Sequence, residues 1–211
     1  TTVVGPLPTK VQAALTRNKD MLITGPTATA KTHCVMEIAR EMGCPVCYVG
    51  GTPGLEDRDL IGAMTIENGN TKFVPGPICM AFEMGQAQFV KSINATNGEV
   101  IPPAILLIDE INRLTTRYQN VLVSLMNIDP VTKERFFRIP DTNQELRCPA
   151  KFLVIVGTRN VGGAYAGIHE MDVALERRFH KKLDTAYLEK TLVSDRTGVS
   201  DKRATVITRV A

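Results

Sequence analysis

GPTATAKT, residues 25–32, follows the short aliphatic stretch Met21–Thr24 and precedes a segment in which Val35, Ile38, Ala39 and Met42 recur at helical spacing. Strand, loop and helix in that order are the setting in which the pattern G-x-x-x-x-G-K-[ST] wraps phosphate groups. The loop's backbone N–H groups turn inward, the lysine reaches the phosphates, and the Ser/Thr hydroxyl meets magnesium. Gly25, Lys31 and Thr32 are in register with the pattern, while Ala30 stands where the second glycine belongs. A Cβ forced to positive φ costs about 1–2 kcal/mol, against about 8 kcal/mol for micromolar binding. Ala30 is therefore expected to weaken a nucleotide site by tens of fold at most, and by nothing if its φ is negative. Gly43 followed by Pro45 supplies the helix stop.

Outward from this loop, Val46–Val49, Ile105–Ile108 and Phe152–Val156 read as further buried strands, and Lys181–Leu183 as a fifth. Their alternation with helical patterns predicts an α/β domain with a mostly parallel sheet. Two hairpins are expected between them. Ala63–Ile66 and Thr71–Val74 flank Asn68-Gly69, a tight-turn signal, and Phe136–Ile139 and Glu145–Cys148 flank a turn at Asp141–Asn143. Ser92–Pro103 reads as a surface loop. Thr115 or Thr116 can cap a helix whose apolar stripe includes Leu114, Tyr118, Val121, Leu122 and Leu125.

ILLIDE, residues 105–110, is an aliphatic strand ending in two carboxylates, Asp109 and Glu110. At the carboxyl edge of such a sheet the first carboxylate can hold magnesium and the second can orient or deprotonate water. A bare Asp-Glu pair is also an ordinary solvated strand end. The preceding phosphate-loop pattern makes the chemical reading the stronger one.

The wider bounds exclude little. The chain has 211 residues, 44% of them hydrophobic and 22% charged, which suits an ordinary globular protein. A net charge of +3 is too small to argue for nucleic acid or a membrane surface. No apolar run approaches a membrane span and the N-terminus lacks a signal-type stretch, so a cytoplasmic protein is expected. Five cysteines do not make a disulfide framework. Cys44 and Cys47 are expected to be buried thiols, and His33, His169 and His180 show no metal spacing.

GPTATAKT, ILLIDEINR, FLVIVGTRN and ALERRF, in this order, together resemble the AAA+ ATPases, most closely the MoxR-like branch. GTPGLEDRDLIGAM and FVPGPICMAF resemble that branch's sequence around an inserted hairpin, where Phe73 and Val74 could engage a substrate or form the hairpin's buried face. The resemblance implies a phosphate-loop three-layer sandwich over residues 1–184 and the beginning of a helical lid over 185–211, apparently cut short, with helices at Thr185–Val193 and from Asp201. It implies ATP and Mg²⁺ as cofactors, bound by Gly25, Pro26, Thr27, Ala28, Thr29, Ala30, Lys31, Thr32 and Asp109, with Thr32 and Asp109 holding the metal. Glu110 would polarise the attacking water and Asn160 would contact that water or the γ-phosphate. Arg178, with Arg177 as rival, would be an arginine finger reaching a neighbouring subunit's ATP. The implied assembly is a ring of six acting on a partner protein or adaptor. Asn160 could instead turn the chain before Gly162-Gly163, and the arginine pair could be a surface helix end. A nucleic-acid motor using basics such as Arg113, Arg117, Lys133, Arg135 and Arg138, and a nucleotide-sensing scaffold with little turnover, are the alternatives.

Overall fold

The computed structural model describes residues 6–96, 98–161 and 171–185. The expected lid helices beyond Thr185, Gly162-Gly163 and His169 lie outside the described residues; Thr185 itself, expected to open the first lid helix, is not helical and gives its N–H to Thr24 O at 2.7 Å. Helix α1 (Pro6–Thr16) leads to β1 (Met21–Gly25), α2 (Lys31–Met42), β2 (Val46–Gly50), the short α3 (Asp57–Leu60) and a hairpin of β3 (Gly62–Glu67) and β4 (Asn70–Pro75). Then come α4 (Pro77–Asn94), β5 (Ala104–Asp109), α5 (Thr116–Leu125), the hairpin of β6 (Glu134–Arg138) and β7 (Glu145–Pro149), β8 (Leu153–Asn160), α6 (Val173–Arg178) and β9 (Lys181–Asp184). The five strands β2-β5-β8-β1-β9 form one parallel sheet in that order.

Burial on both faces explains the near-continuous aliphatic strands. Along β5, Ile105 and Leu107 pack into the core beneath α1 and α2, whereas Leu106 and Ile108 pack into the core on the opposite face, with α4 and α5. That period of two is the strand pleat expressed in packing. The result is a helix, sheet, helix sandwich, as the α/β reading requires.

Local signals explain the boundaries. Gly43 sits at φ 69°, and Cys44 donates its N–H to Ala39 O at 2.8 Å, the closing bond of a Schellman end. Asn68 and Gly69 both take positive φ, 52° and 78°, as the two-residue hairpin turn demands. Phe73 packs against the core while Val74 is exposed, so only the former belongs to a buried face. All five cysteines are free and buried; burial pushes the Cys44 thiol up to about 11 and the Cys34 thiol up to about 12. None of them suits redox chemistry in that state.

Two boundaries differ most from expectation. Helix α4 runs to Asn94, so the surface loop starts three residues later than Ser92. Its Gly85 presses so close to β7 that a Cβ there would lie 2.7 Å from Cys148 Sγ. Strand β8 extends past Val156 to Asn160, which carries that residue to the sheet's carboxyl edge as the last residue of the strand.

A further departure concerns Arg135, which the sequence groups with scattered basic residues. It is buried, and Nη2 donates to Asp20 Oδ2 at 2.7 Å while Nε donates to Leu153 O at 3.2 Å. Asp20 Oδ1 accepts the Ile155 N–H at 2.9 Å. The pair thus joins the second hairpin to the amino-terminal edge of the sheet, opposite the phosphate loop. Removing one member of such a pair strands the other charge away from water. Asp20→Ala is expected to cost about 3 kcal/mol or more in urea denaturation.

Candidate functional site

The sheet order places β1 between β8 and β9, with β5 on the far side of β8, so the carboxyl ends of β1, β8 and β5 open onto one crevice. Each delivers a different group. β1 ends at Gly25 and starts the loop, β5 ends at Asp109 just before Glu110, and β8 ends at Asn160. A cavity of about 280 Å³ lies there, lined by the loop from Thr27 to His33 and by Asp109, Glu110 and Asn160. Its size, at the low end of ligand pockets, suits a phosphate chain better than a fully enclosed nucleotide.

The loop turns through two residues with left-handed backbone. Ala30 takes φ 55° and ψ 26°, and Ala28 takes φ 62°, both left-handed. Negative φ at Ala30, the case in which the missing glycine would cost nothing, is not what occurs. Left-handed backbone at a residue with a Cβ costs about 1–2 kcal/mol, a cost that falls on the folded chain. Ala30→Gly is expected to gain about 0.5–1 kcal/mol of stability after glycine's extra unfolded-chain entropy is subtracted, with nucleotide affinity shifting less than about threefold. Urea denaturation and a binding titration check the two halves. Gly25 is needed for a different reason: a Cβ there would lie 1.9 Å from Thr185 Oγ1, which itself donates to Thr29 Oγ1 at 3.0 Å. Sequence reading had no signal for Thr185 in this role, since the contact spans the whole domain.

Lys31 is buried, and its amine shares its three N–H bonds among four acceptors within reach, Pro26 O at 2.7 Å, Gly25 O at 3.1 Å, Thr29 Oγ1 at 3.2 Å and Asn160 Oδ1 at 2.7 Å. Burial pulls its pKa below the ordinary lysine value, and the nearby carboxylates of Asp109 and Glu110 pull it back up. Asn160 also donates through Nδ2 to Glu110 Oε1 at 2.7 Å, and Arg113 donates to Glu110 Oε2 at 2.7 Å. Lys31, Asn160, Glu110 and Arg113 therefore form one chain of hydrogen bonds across the crevice. Asn160 thus links Lys31 to Glu110 through the two ends of its side-chain amide.

Thr32 Oγ1 donates to Asp109 Oδ1 at 2.6 Å. A hydroxyl and a carboxylate are the hard oxygen donors that magnesium prefers, and they stand together beside the loop. The residues present fit the ion that the fold implies; Thr32 and Asp109 would hold it. No group of three or more His, Cys, Asp or Glu suited to another metal occurs among the described residues.

The arginine pair is elsewhere. Asp172 caps α6, accepting from Ala174 N at 2.6 Å, and Arg178 ends that helix. The Arg178 guanidinium donates to Asn127 Oδ1 from Nε at 3.1 Å and Nη2 at 2.9 Å, and to Ala174 O at 3.1 Å. Arg177 is exposed. Neither lines the cavity of its own chain. Tyr48, Arg113 and Thr158, which do touch the two carboxylates, escaped the sequence reading as site residues; a hydroxyl or cation within an ordinary strand or turn carries no motif of its own.

Similarity to known proteins agrees with this geometry. The family model for the AAA domain, dynein-related subfamily, matches residues 20–179. Midasin of Giardia intestinalis is 24% identical over 173 residues, which is 81% of this chain and 3% of midasin. An uncharacterised protein of Staphylococcus saprophyticus is 26% identical over 189 residues, 87% of this chain and 62% of its own length. The chain thus spans less than two thirds of these curated relatives. A solved candidate ATPase of Cytophaga hutchinsonii shares the fold with a TM-score of 0.58 and 22% identity, over 98% of this chain and 55% of that one. With most of its length inside the family match, and with the phosphate loop and paired carboxylates on one crevice, the chain belongs to the AAA domain family, dynein-related subfamily, and so to the AAA+ ATPases.

Proposed function

We propose that this chain binds ATP with Mg²⁺ and hydrolyses it as one subunit of a ring, of the MoxR-like kind, whose shape changes remodel a partner protein. The observation that carries the reading is the convergence of Lys31, Asp109, Glu110 and Asn160 on one cavity beside a left-handed phosphate loop. Lys31 and the loop amides bind and orient the phosphates, Asn160 aligns the terminal phosphate and the attacking water, and Glu110 takes the water's proton. Magnesium bound at Thr32 and Asp109 would supply charge neutralisation for the phosphate oxygens. The MoxR-like assignment draws on the Gly62–Pro75 hairpin between α3 and α4, at the position where that branch carries an insert.

A ring makes the finger in trans, which means turnover per subunit depends on assembly. Steady-state phosphate release with ATP and Mg²⁺, measured across protein concentration with Lys31→Ala as background, tests this. Turnover per subunit that rises with concentration supports the reading. Nucleotide binding with no release above background favours the scaffold instead.

Most of the basic residues put forward for a nucleic-acid motor have an acidic partner within the chain. Arg113 pairs with Glu110, Arg117 with Asp57, Arg135 with Asp20 and Arg138 with Glu145. With four of the five candidate basics so paired, these described residues favour the protein-remodelling reading over one that draws on a concentrated basic face. Among the described residues no helix is long and apolar enough to cross a membrane.

A further inference from the structure

We propose that Thr158 is a positioning residue that fixes Asp109 and Glu110 together, so that the metal-holding and proton-accepting carboxylates are set by one buried hydroxyl. The inference rests on the ATPase reading above and assigns a new role within that site.

Strand β5 pairs with β8 up to Ile108 opposite Gly157. Beyond that pair the chain turns sharply, and Glu110 takes the left-handed φ of 51°, a conformation that a side chain adopts only where its surroundings enforce it. The sheet ladder no longer offers the Glu110 N–H a carbonyl. The Thr158 hydroxyl takes that place, accepting the Glu110 N–H at 3.0 Å, and it donates its own proton to Asp109 Oδ1. A hydroxyl has one proton, so the direction is forced: it accepts from Glu110 and can donate only to Asp109. Thr158 is completely buried, which keeps water from substituting for either bond.

The consequence for Asp109 is a fixed rotamer. Oδ1 receives both Thr158 and Thr32, whereas Oδ2 faces the exposed Tyr48 hydroxyl at 3.3 Å. Thr158 also lies two residues before Asn160 on β8, so both project from one face of the strand. One strand face therefore holds the metal carboxylate through residue 158 and the other carboxylate through residue 160. Partners of metal-ligating carboxylates commonly change metal affinity about 10- to 100-fold when removed.

The test uses Thr158→Val, which keeps the shape and loses the hydroxyl, and Thr158→Ser, which keeps the hydroxyl, in the full chain. ADP affinity is titrated with and without Mg²⁺, beside kcat and KM for ATP. In the valine variant the magnesium-dependent gain in ADP affinity is expected to fall about 10- to 100-fold, with metal-free affinity unchanged and kcat reduced more than KM is raised. Serine is expected to restore both. Thr158→Ala takes the place of valine if the urea midpoint shows that the valine variant does not fold. A hydroxyl-free variant with wild-type magnesium dependence, an equal loss of metal-free and magnesium-bound affinity, or failure of serine to restore would each overturn the assignment. Wild-type protein that binds no nucleotide would sink the ATPase reading first, whereas normal wild-type turnover beside an unaffected valine variant sinks this inference alone.

Discussion

Glu110→Gln is expected to bind ATP as the wild type does and to lose about 10²- to 10⁴-fold in turnover, the contribution typical of a positioned proton acceptor. The binding half follows from what the substitution leaves alone. Lys31 donates to Gly25, Pro26, Thr29 and Asn160 and not to Glu110, which reaches it only through Asn160. The folding half follows from exposure. Glutamine can still accept from either Asn160 or Arg113 through its one oxygen, and the other partner is left facing an amide. The pair Arg113 and Glu110 is about one third exposed, so water can meet the displaced donor at small cost. What the amide cannot do is take a proton from water. Phosphate release measured beside an equilibrium nucleotide titration separates the two halves, and near wild-type release by the glutamine variant would remove Glu110 from its proposed role.

Much of this crevice was legible from short-range pattern. The phosphate loop announces itself because strand, loop and helix are contiguous in sequence, so Gly25, Lys31 and Thr32 needed no tertiary information. Asp109 and Glu110 were legible because an aliphatic run ending in acids marks a strand's end, and a parallel sheet brings its carboxyl ends to one edge. The sign of φ at Ala30 was not legible: an alanine usually avoids the left-handed region, and only the closed loop imposes it. Thr158 and Tyr48 were hidden because a polar residue in a strand looks alike whether it faces solvent or a carboxylate. Arg135 was hidden for a stronger reason. It stands beside Phe136 and Phe137 in a hairpin strand, where a cation reads as the solvated side, and its partner Asp20 is far away in sequence. Helix α4 went unread because its polar end, Ser92–Asn94, merges with the loop that follows, although Pro77 in its first turn is a helix-start signal.

The largest kinetic effect is expected at Arg178. An arginine finger contributes about 10³- to 10⁵-fold to turnover by stabilising charge on the transferring phosphoryl group. Arg178→Ala should therefore abolish measurable hydrolysis while each subunit still binds nucleotide, because the residue is not among those lining its own cavity. Its guanidinium rests on Asn127 and on the Ala174 carbonyl, contacts with neutral groups at the exposed end of α6, and a phosphate on a neighbouring subunit offers a stronger, charge-assisted partner. The exchange of partners costs little because the present ones are uncharged. A finger given from one subunit to the next makes a specific demand on mixtures. Arg178→Ala subunits keep an intact Glu110, and Glu110→Gln subunits keep an intact Arg178, so each is inactive alone. In a random equal mixture with head-to-tail contacts, about one interface in four joins an intact finger to an intact base, and activity should return to about that fraction of wild type. Mixtures that stay silent would place Arg178 within its own subunit's chemistry or stability. Retention of turnover by Arg178→Ala, with its loss in Arg177→Ala, would transfer the role to the exposed neighbour.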